Sequence, residues 1–396
     1  MKERSRMKVS LAVFLIAITA FTIGKVVAQG EMERKLETYL QVLDIVKNDY
    51  VEKNLDDQKL VYGSIRGLLD ALDDPYTRFL EPTSYKEMKV RMSGSYSGIG
   101  IYIGIKEKLL TVISPIDGTP AQKQGLKAGD RVLKIDGKDT KDMAIEEAVS
   151  LIRGQQNTKV KLQLLRTGWK EPKDYDIVRA KIVIKSVIAK TFDTNIAYIK
   201  LNTFENLSAA HDFEKALRAA KNAEGLIVDV RGNGGGLLQN AIDIGSMFIA
   251  QGVIVQTVDR EGRREQLEST GRLLWNKPVI MLINESSASA SEILAGALRD
   301  NGIATLVGRH TFGKASVQNV KVLNDGSAVL LTVAKYLTPN GEDITKRGIS
   351  PEVEVLAPTR EAEEAVEQEL PDELKDVQLQ KAISILKEKL AGTSGG

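Results

Sequence analysis

The sequence contains no cysteine, and that one absence removes a thiolate nucleophile, thiolate metal ligands, disulfides and a lipidated N-terminal cysteine together. Histidine is nearly as scarce. His211 and His310 are the only two, too few for a His-rich zinc site, and they leave a histidine general base just two candidates. A dominant charge is missing as well: 55 Lys plus Arg balance 53 Asp plus Glu, and a net charge of +2 gives no basis for a polyanionic partner such as nucleic acid. The glycine cluster at 232–236 lacks a following Lys-Ser or Lys-Thr, which argues against a phosphate loop. Neither a cofactor nor a metal is expected.

What is present is length and order. At 396 residues the chain exceeds one ordinary core, so two or three domains are expected. Lys2, Arg4, Arg6 and Lys8 precede an apolar run from Val9 to Ile23, and Ala28 is a small residue before a polar one. Residues 1–30 therefore read as a signal peptide or, with Lys25 reaching back to the interface, a signal anchor. The run is shorter than the ~20 residues that comfortably span a bilayer. Either outcome places the rest outside the cytoplasm, as a secreted or membrane-anchored protein of a bacterial periplasm or cell envelope.

Leu36, Leu40, Leu43 and Val46, then Ile65, Leu68, Leu69 and Leu72, recur at helical spacing, so residues 31–95 read as a helical region ended near Asp73-Asp74-Pro75. From 96 to 168 the pattern shifts to short strands punctuated by glycine, with one helix carrying Ile145, Ala148, Val149 and Ile152 on one face. From 169 to 357 strands and helices alternate. Leu226–Val230 and Val279–Ile283 are continuous apolar runs, as in strands covered on both faces, and each leads into a Gly- or Ser-rich turn and an amphipathic helix. Hairpin character returns from Val317 to Leu337 around Asp325-Gly326. Residues 358–396 read as a charged helical tail with a frayed end.

The chemistry concentrates at Glu285–Glu292 and at Gly313-Lys314. Ser289 falls where a buried strand turns into a helix, so free N–H groups at the helix start face any negative charge formed there. Ala290 N–H and Gly235 N–H, the latter from the glycine-rich turn after 230, are the expected oxyanion donors. A hydroxyl is a weak nucleophile without a base, and Lys314 can serve as one if burial lowers its pKa. Gln318 lies one helical turn or an even number of strand steps beyond Lys314, so both side chains fall on one side. Competing readings remain open on spacing alone: Ser286, Ser287, Ser291 and Ser316 are rival nucleophiles, and His310 is a rival base beside Arg309. His211 lies on an amphipathic helix and reads as structural. A plain N-cap with a closely packed first turn is the non-catalytic reading of the serine cluster.

Together, Ser287–Leu298, Phe312–Gln318 and Asp229–Gly236 closely resemble the carboxyl-terminal processing peptidases, the tail-specific proteases. Asp73–Leu80 and Arg347–Pro351 extend the likeness over nearly the whole mature chain. The resemblance implies a multidomain α+β protein: a crotonase-like (ClpP/crotonase-type) α/β protease core with an inserted PDZ domain and an N-terminal helical region. It implies a serine endopeptidase with a Ser289/Lys314 dyad supported by Gln318, acting on protein substrates with apolar C-terminal tails. The PDZ peptide groove falls on Gly98, Ile99, Gly100 and Ile101 beside Ile145 and Val149, a strand edge and a helix that can take a tail as an extra strand. Arg153, at the end of that helix, is the candidate for coupling the groove to the active site. Relatives often pair through the N-terminal helices, which implies a homo-oligomer. The alternative is an exported scaffold whose PDZ domain binds C-termini while the core does no chemistry.

Overall fold

The computed structural model describes residues 31–106, 109–192, 195–356 and 376–393; the leader at 1–30 lies outside them. The chain forms two compact units, one ending at Ala71 and one beginning at Leu72. In the first, a helix at 31–49 is followed by the helix Asp57–Asp70. Asp56 caps the second helix by accepting from Lys59 N at 3.1 Å. Tyr39 donates to Ser64 Oγ at 2.9 Å, joining the two. Leu36, Leu40 and Ile45 on the first helix are exposed.

The second unit is built on a six-stranded sheet in the order Val187–Phe192, Ile196–Leu201, Gly225–Asp229, Val279–Ile283, Ala304–Gly308, Val353–Glu354. The first pair is antiparallel and the rest are parallel. Period-two alternation divides the apolar residues between two layers. Ile199, Val228, Met281 and Leu306 face the helices Ala209–Ala219, Leu238–Ser246 and Ala290–Asp300. Tyr198, Ile227, Ile280 and Val307 face the last helix, Val377–Thr393, through its Leu379, Ala382 and Leu386. Burial on both faces is why Val279–Ile283 carries no polar residue.

That last helix departs from the charged tail read from the sequence. It completes the core: a methyl group at Gly225 would lie 2.9 Å from Leu386, so only glycine admits the helix this close. Its entry is fixed by charge. Arg231 donates through Nη1 and Nη2 to Asp376 at 2.9 and 2.7 Å and through Nη2 to Asp229 at 2.7 Å, and Gln378 Oε1 accepts from Nη1 at 2.9 Å. Asp229 is fully buried and also accepts from Tyr198 Oη at 2.7 Å. Burial opposes the charge on Arg231, but the two carboxylates outweigh it and hold the guanidinium above its usual value.

A second sheet combines Arg78–Leu80, Val253–Asp259, Arg264–Glu268, Ser316–Val322 and Ala328–Leu337. The hairpin around Asp325-Gly326 has the antiparallel register expected, with an irregularity at Val317/Gln318. The strand Arg78–Leu80 falls in a stretch read as helical, and pairs Arg78 with Leu330. Between the two sheets in sequence, Ser95–Gly98 pairs antiparallel with Ala180–Val183 and carries the chain into and out of a smaller domain. That domain has a six-stranded sheet, the helix Ile145–Ile152 and its own core around Ile99, Val112, Ile135 and Leu162.

Replacing Arg231 with Met should leave Asp229 buried without its cation and destabilise the protein by about 3–5 kcal/mol, a loss that urea unfolding would register.

Candidate active site

The apolar strand Val279–Ile283 delivers the chain to a tight turn, and Ser289 is the residue at which the turn becomes the helix Ala290–Asp300. Its backbone sits at φ 55°, ψ −116°. A non-glycine residue in that region carries strain of about 1–3 kcal/mol, sustained only where the surroundings enforce it. The glycine-rich turn supplies the enforcement. At Gly235 a Cβ would lie 2.6 Å from Ala288 O and 2.8 Å from both Ala290 N and the Ser289 Cβ, so the two turns touch backbone to backbone. Ala288 N donates to Asn233 O at 3.1 Å, and Ser291 Oγ to the same oxygen at 2.8 Å.

These contacts separate the serines. Ser287 and Ser291 are fully buried, their hydroxyls donating to Val230 O and Asn233 O. Ser286 is exposed, and Ser316 Oγ accepts from Gln318 Nε2 at 2.8 Å. Ser289 is half-buried and lines a cavity of about 280 Å³ together with Ala290, Lys314 and Gln318. Both histidines are exposed and line no part of that cavity.

The residue that joins these parts is Glu292, which sequence reasoning did not single out. Its side chain is 1% exposed and accepts four hydrogen bonds. Oε2 takes Ser289 N at 2.8 Å and Lys314 N at 2.9 Å; Oε1 takes Gly313 N and Thr311 Oγ1, both at 2.6 Å. Burial raises the carboxyl above its ordinary value against the pull of these donors. The Tyr336 hydroxyl, also buried, donates to Lys314 O and lies 3.2 Å from Ser289 O. Behind the lysine turn, Ile349 N donates to Thr311 Oγ1 at 2.7 Å and Lys346 N to Gly313 O at 2.9 Å, so the Arg347–Pro351 segment backs it. The signal for Glu292 was available: Ser-x-x-Glu at a helix start is the capping-box pattern.

The Lys314 amine is shifted in the direction a base requires. Burial pushes its amine below the ordinary lysine value, the Arg78 cation adds to that, and Asp74, Glu292 and Glu205 pull the other way. The amine lies over the Tyr76 ring, 4.6 Å from its centroid. Among the described residues no hydrogen bond joins Lys314 Nζ to Ser289 Oγ or to Gln318. The Gln318 amide instead donates to Ser316 Oγ and, at 3.3 Å, to Thr332 Oγ1. The expected oxyanion donors differ in readiness. Ala290 opens the helix and lines the cavity, whereas Gly235 N–H is taken by Asn233 Oδ1 at 2.9 Å and Gly235 itself is not on the cavity wall, where Gly234 and Gly236 stand.

In the smaller domain, Ile99, Gly100, Ile101 and Val149 surround a groove of about 50 Å³, joined by Tyr96 and Arg153. Gly98 and Ile145 stand outside its wall, against expectation. Gly98 instead packs its backbone on the Tyr96 ring, 3.1 Å from where a Cβ would be. The Arg153 guanidinium covers that ring at 4.7 Å. Among the described residues no group of acidic or histidine side chains could hold a metal ion.

The family model for peptidase family S41 matches residues 195–355, that for the PDZ domain matches 111–166, and that for the N-terminal domain of the activating protease CtpB matches 20–83. Fold and site thus define a serine-type peptidase of family S41 with an attached PDZ domain. The carboxyl-terminal-processing protease of Synechocystis sp. is 39% identical over 326 residues, 79% of this chain and 75% of that protein. The carboxy-terminal processing protease CtpA of Bacillus subtilis is 38% identical over 355 residues, 88% of this chain and 76% of that protein. Among solved structures, the photosystem II D1 C-terminal processing protease aligns with a TM-score of 0.50 and 31% identity, over 82% of this chain and 94% of that one. The chain belongs to the carboxyl-terminal processing proteases.

Glu292→Gln puts an amide donor where four N–H and O–H donors converge. It should cost about 1–3 kcal/mol of stability in thermal unfolding and lower kcat at least tenfold, since one of the two shared acceptor oxygens becomes a donor facing two donors.

Proposed function

We propose that the protein is an exported endopeptidase that takes protein substrates by their apolar C-terminal tails in its PDZ domain and cleaves them with a Ser289/Lys314 dyad. The observation that carries this reading is the pairing of a strained, cavity-facing serine at a helix start with a desolvated lysine on the same cavity wall. A scaffold without chemistry has no use for the strain at Ser289. Export is supported by the basic start and apolar run of residues 1–30. Among the described residues no helix is long and apolar enough to cross a membrane.

In the proposed reaction the neutral Lys314 amine accepts the Ser289 hydroxyl proton while Oγ bonds to the substrate carbonyl carbon. The carbonyl oxygen becomes an oxyanion opposite Ala290 N–H, and the glycine-rich turn contributes a second donor once Gly235 is released from Asn233. The Lys314 ammonium then returns a proton to the departing amine as the C–N bond breaks, which leaves an ester on Ser289. Water, deprotonated by the same amine, hydrolyses the ester and frees the carboxylate. Gln318 can orient the amine through its carbonyl oxygen, after the strand irregularity at Val317/Gln318 turns it toward the cavity. Apolar residues on the cavity wall, among them Leu237, Leu238 and Ile293, suit an uncharged side chain next to the scissile bond.

Ser289→Ala and Lys314→Arg should each lower kcat by a thousandfold or more on a flexible protein with an apolar tail, followed by mass spectrometry. Arginine keeps the charge but has no accessible neutral form. With the folded pKa of Lys314 below 10.5, the neutral base becomes the major form above that lowered value, so activity rises with pH along a limb whose midpoint lies below 10.5. A flat profile would refute the assignment. The same shift has a stability consequence. A depressed folded pKa means the lysine's contribution is lost as pH falls through the folded value. At neutral pH Lys314 therefore weakens the fold, and Lys314→Met should raise Tm while abolishing activity.

A further inference from the structure

The segment Asp74–Arg78 comes before the PDZ domain in the sequence yet reaches the cavity. Asp74 organises it: Oδ1 accepts Tyr76 N at 3.0 Å and Oδ2 accepts Thr77 Oγ1 at 2.7 Å. Thr332 N donates to Thr77 Oγ1 at 3.1 Å, and Arg78 pairs in register with Leu330, so the segment is fixed to the strand Ala328–Leu337. The outcome of this anchoring is that the Tyr76 ring lies under the Lys314 amine at 4.6 Å from its centroid. The half-buried ring is placed by backbone bonds, not by chance contact.

We infer that Tyr76 is a positioning residue for the lysine, holding its ammonium over the ring, off Ser289, until the amine is needed. The inference rests on the Ser289/Lys314 reading and specifies where the lysine waits. An aromatic face attracts the ammonium and not the neutral amine. Tyr76 therefore favours the protonated, parked form, and the lysine leaves the ring when it gives up its proton and turns toward Ser289. The charged and titratable groups around the amine are Asp74 and Arg78 on the same segment, Glu205 before the helix Ala209–Ala219, Glu292 on the serine helix and Tyr336 on the neighbouring strand. Arg91 lies 3.4 Å from Glu205, which partly offsets that carboxylate. Arg78 opposes the ammonium; Asp74, Glu292 and Glu205 favour it. The ring adds to the second group without adding charge.

The test compares pH profiles of kcat for the full chain carrying Tyr76→Leu, Tyr76→Met or Tyr76→Phe. Leucine and methionine keep the amine desolvated but remove the aromatic face, so the rising limb should move about one pH unit toward acid. Activity on the acid side should then increase severalfold. Phenylalanine keeps the face, and its limb should stay with that of the parent. Unshifted limbs in both aromatic-free variants, or an alkaline shift, would overturn the inference, as would a phenylalanine variant that moves as far as leucine. Methionine carries the comparison if the leucine variant does not fold. Lys314→Arg separates the two levels: an active arginine variant sinks the dyad itself, whereas an inactive one with unmoved Tyr76 limbs sinks only the parking role.

Discussion

One buried carboxylate sets the geometry on which the site depends. Glu292 accepts from the backbone of Ser289 on one side and from Gly313 and Lys314 on the other, so two turns that follow different strands share a single acceptor. Such a group is costly to bury unless every oxygen is satisfied, and here each oxygen takes two donors. The serine strain becomes tolerable for the same reason. With its amide held by Glu292 and Gly235 packed against its Cβ, Ser289 has no relaxed conformation within reach.

A division of labour follows from this arrangement. Backbone positions in the centre are over-determined, while the reacting side chains are not. Among the described residues no hydrogen bond holds the Lys314 amine, and the Gln318 amide donates to side chains, Ser316 Oγ and Thr332 Oγ1. The lysine amine over Tyr76 and the Gln318 amide on Ser316 are consistent with side chains that move to react.

Much of this was legible in the sequence because local pattern and tertiary role coincide there. The run Val279–Ile283 followed by a Ser/Ala-rich turn reads as a doubly covered strand entering a helix, and the structure has that strand, turn and helix. Residue type and spacing brought Ser289 and Lys314 forward but left rival serines and His310 open, and it was the likeness to the processing peptidases that singled out the pair. Elements governed by distant partners were not legible. The strand Arg78–Leu80 is three residues long and exists because Leu330 pairs with it from 252 positions away. Gly98 and Ile145 were placed in the PDZ groove by motif position, but the Tyr96 ring occupies that side of Gly98. The Asn233 bond that takes the Gly235 amide depends on a side-chain rotamer, which no spacing rule reports. The last helix was read as helical, but its charged surface hid its place in the core, although Leu379, Ala382 and Leu386 recur every three or four residues.

That helix also bears on the serine. Arg231 opens the glycine-rich turn, and its second carboxylate, Asp376, lies 145 residues further on, at the entry to the helix. One guanidinium thus links the helix that seals one face of the central sheet to the turn that touches Ser289, so prying that helix loose would disturb the serine from behind.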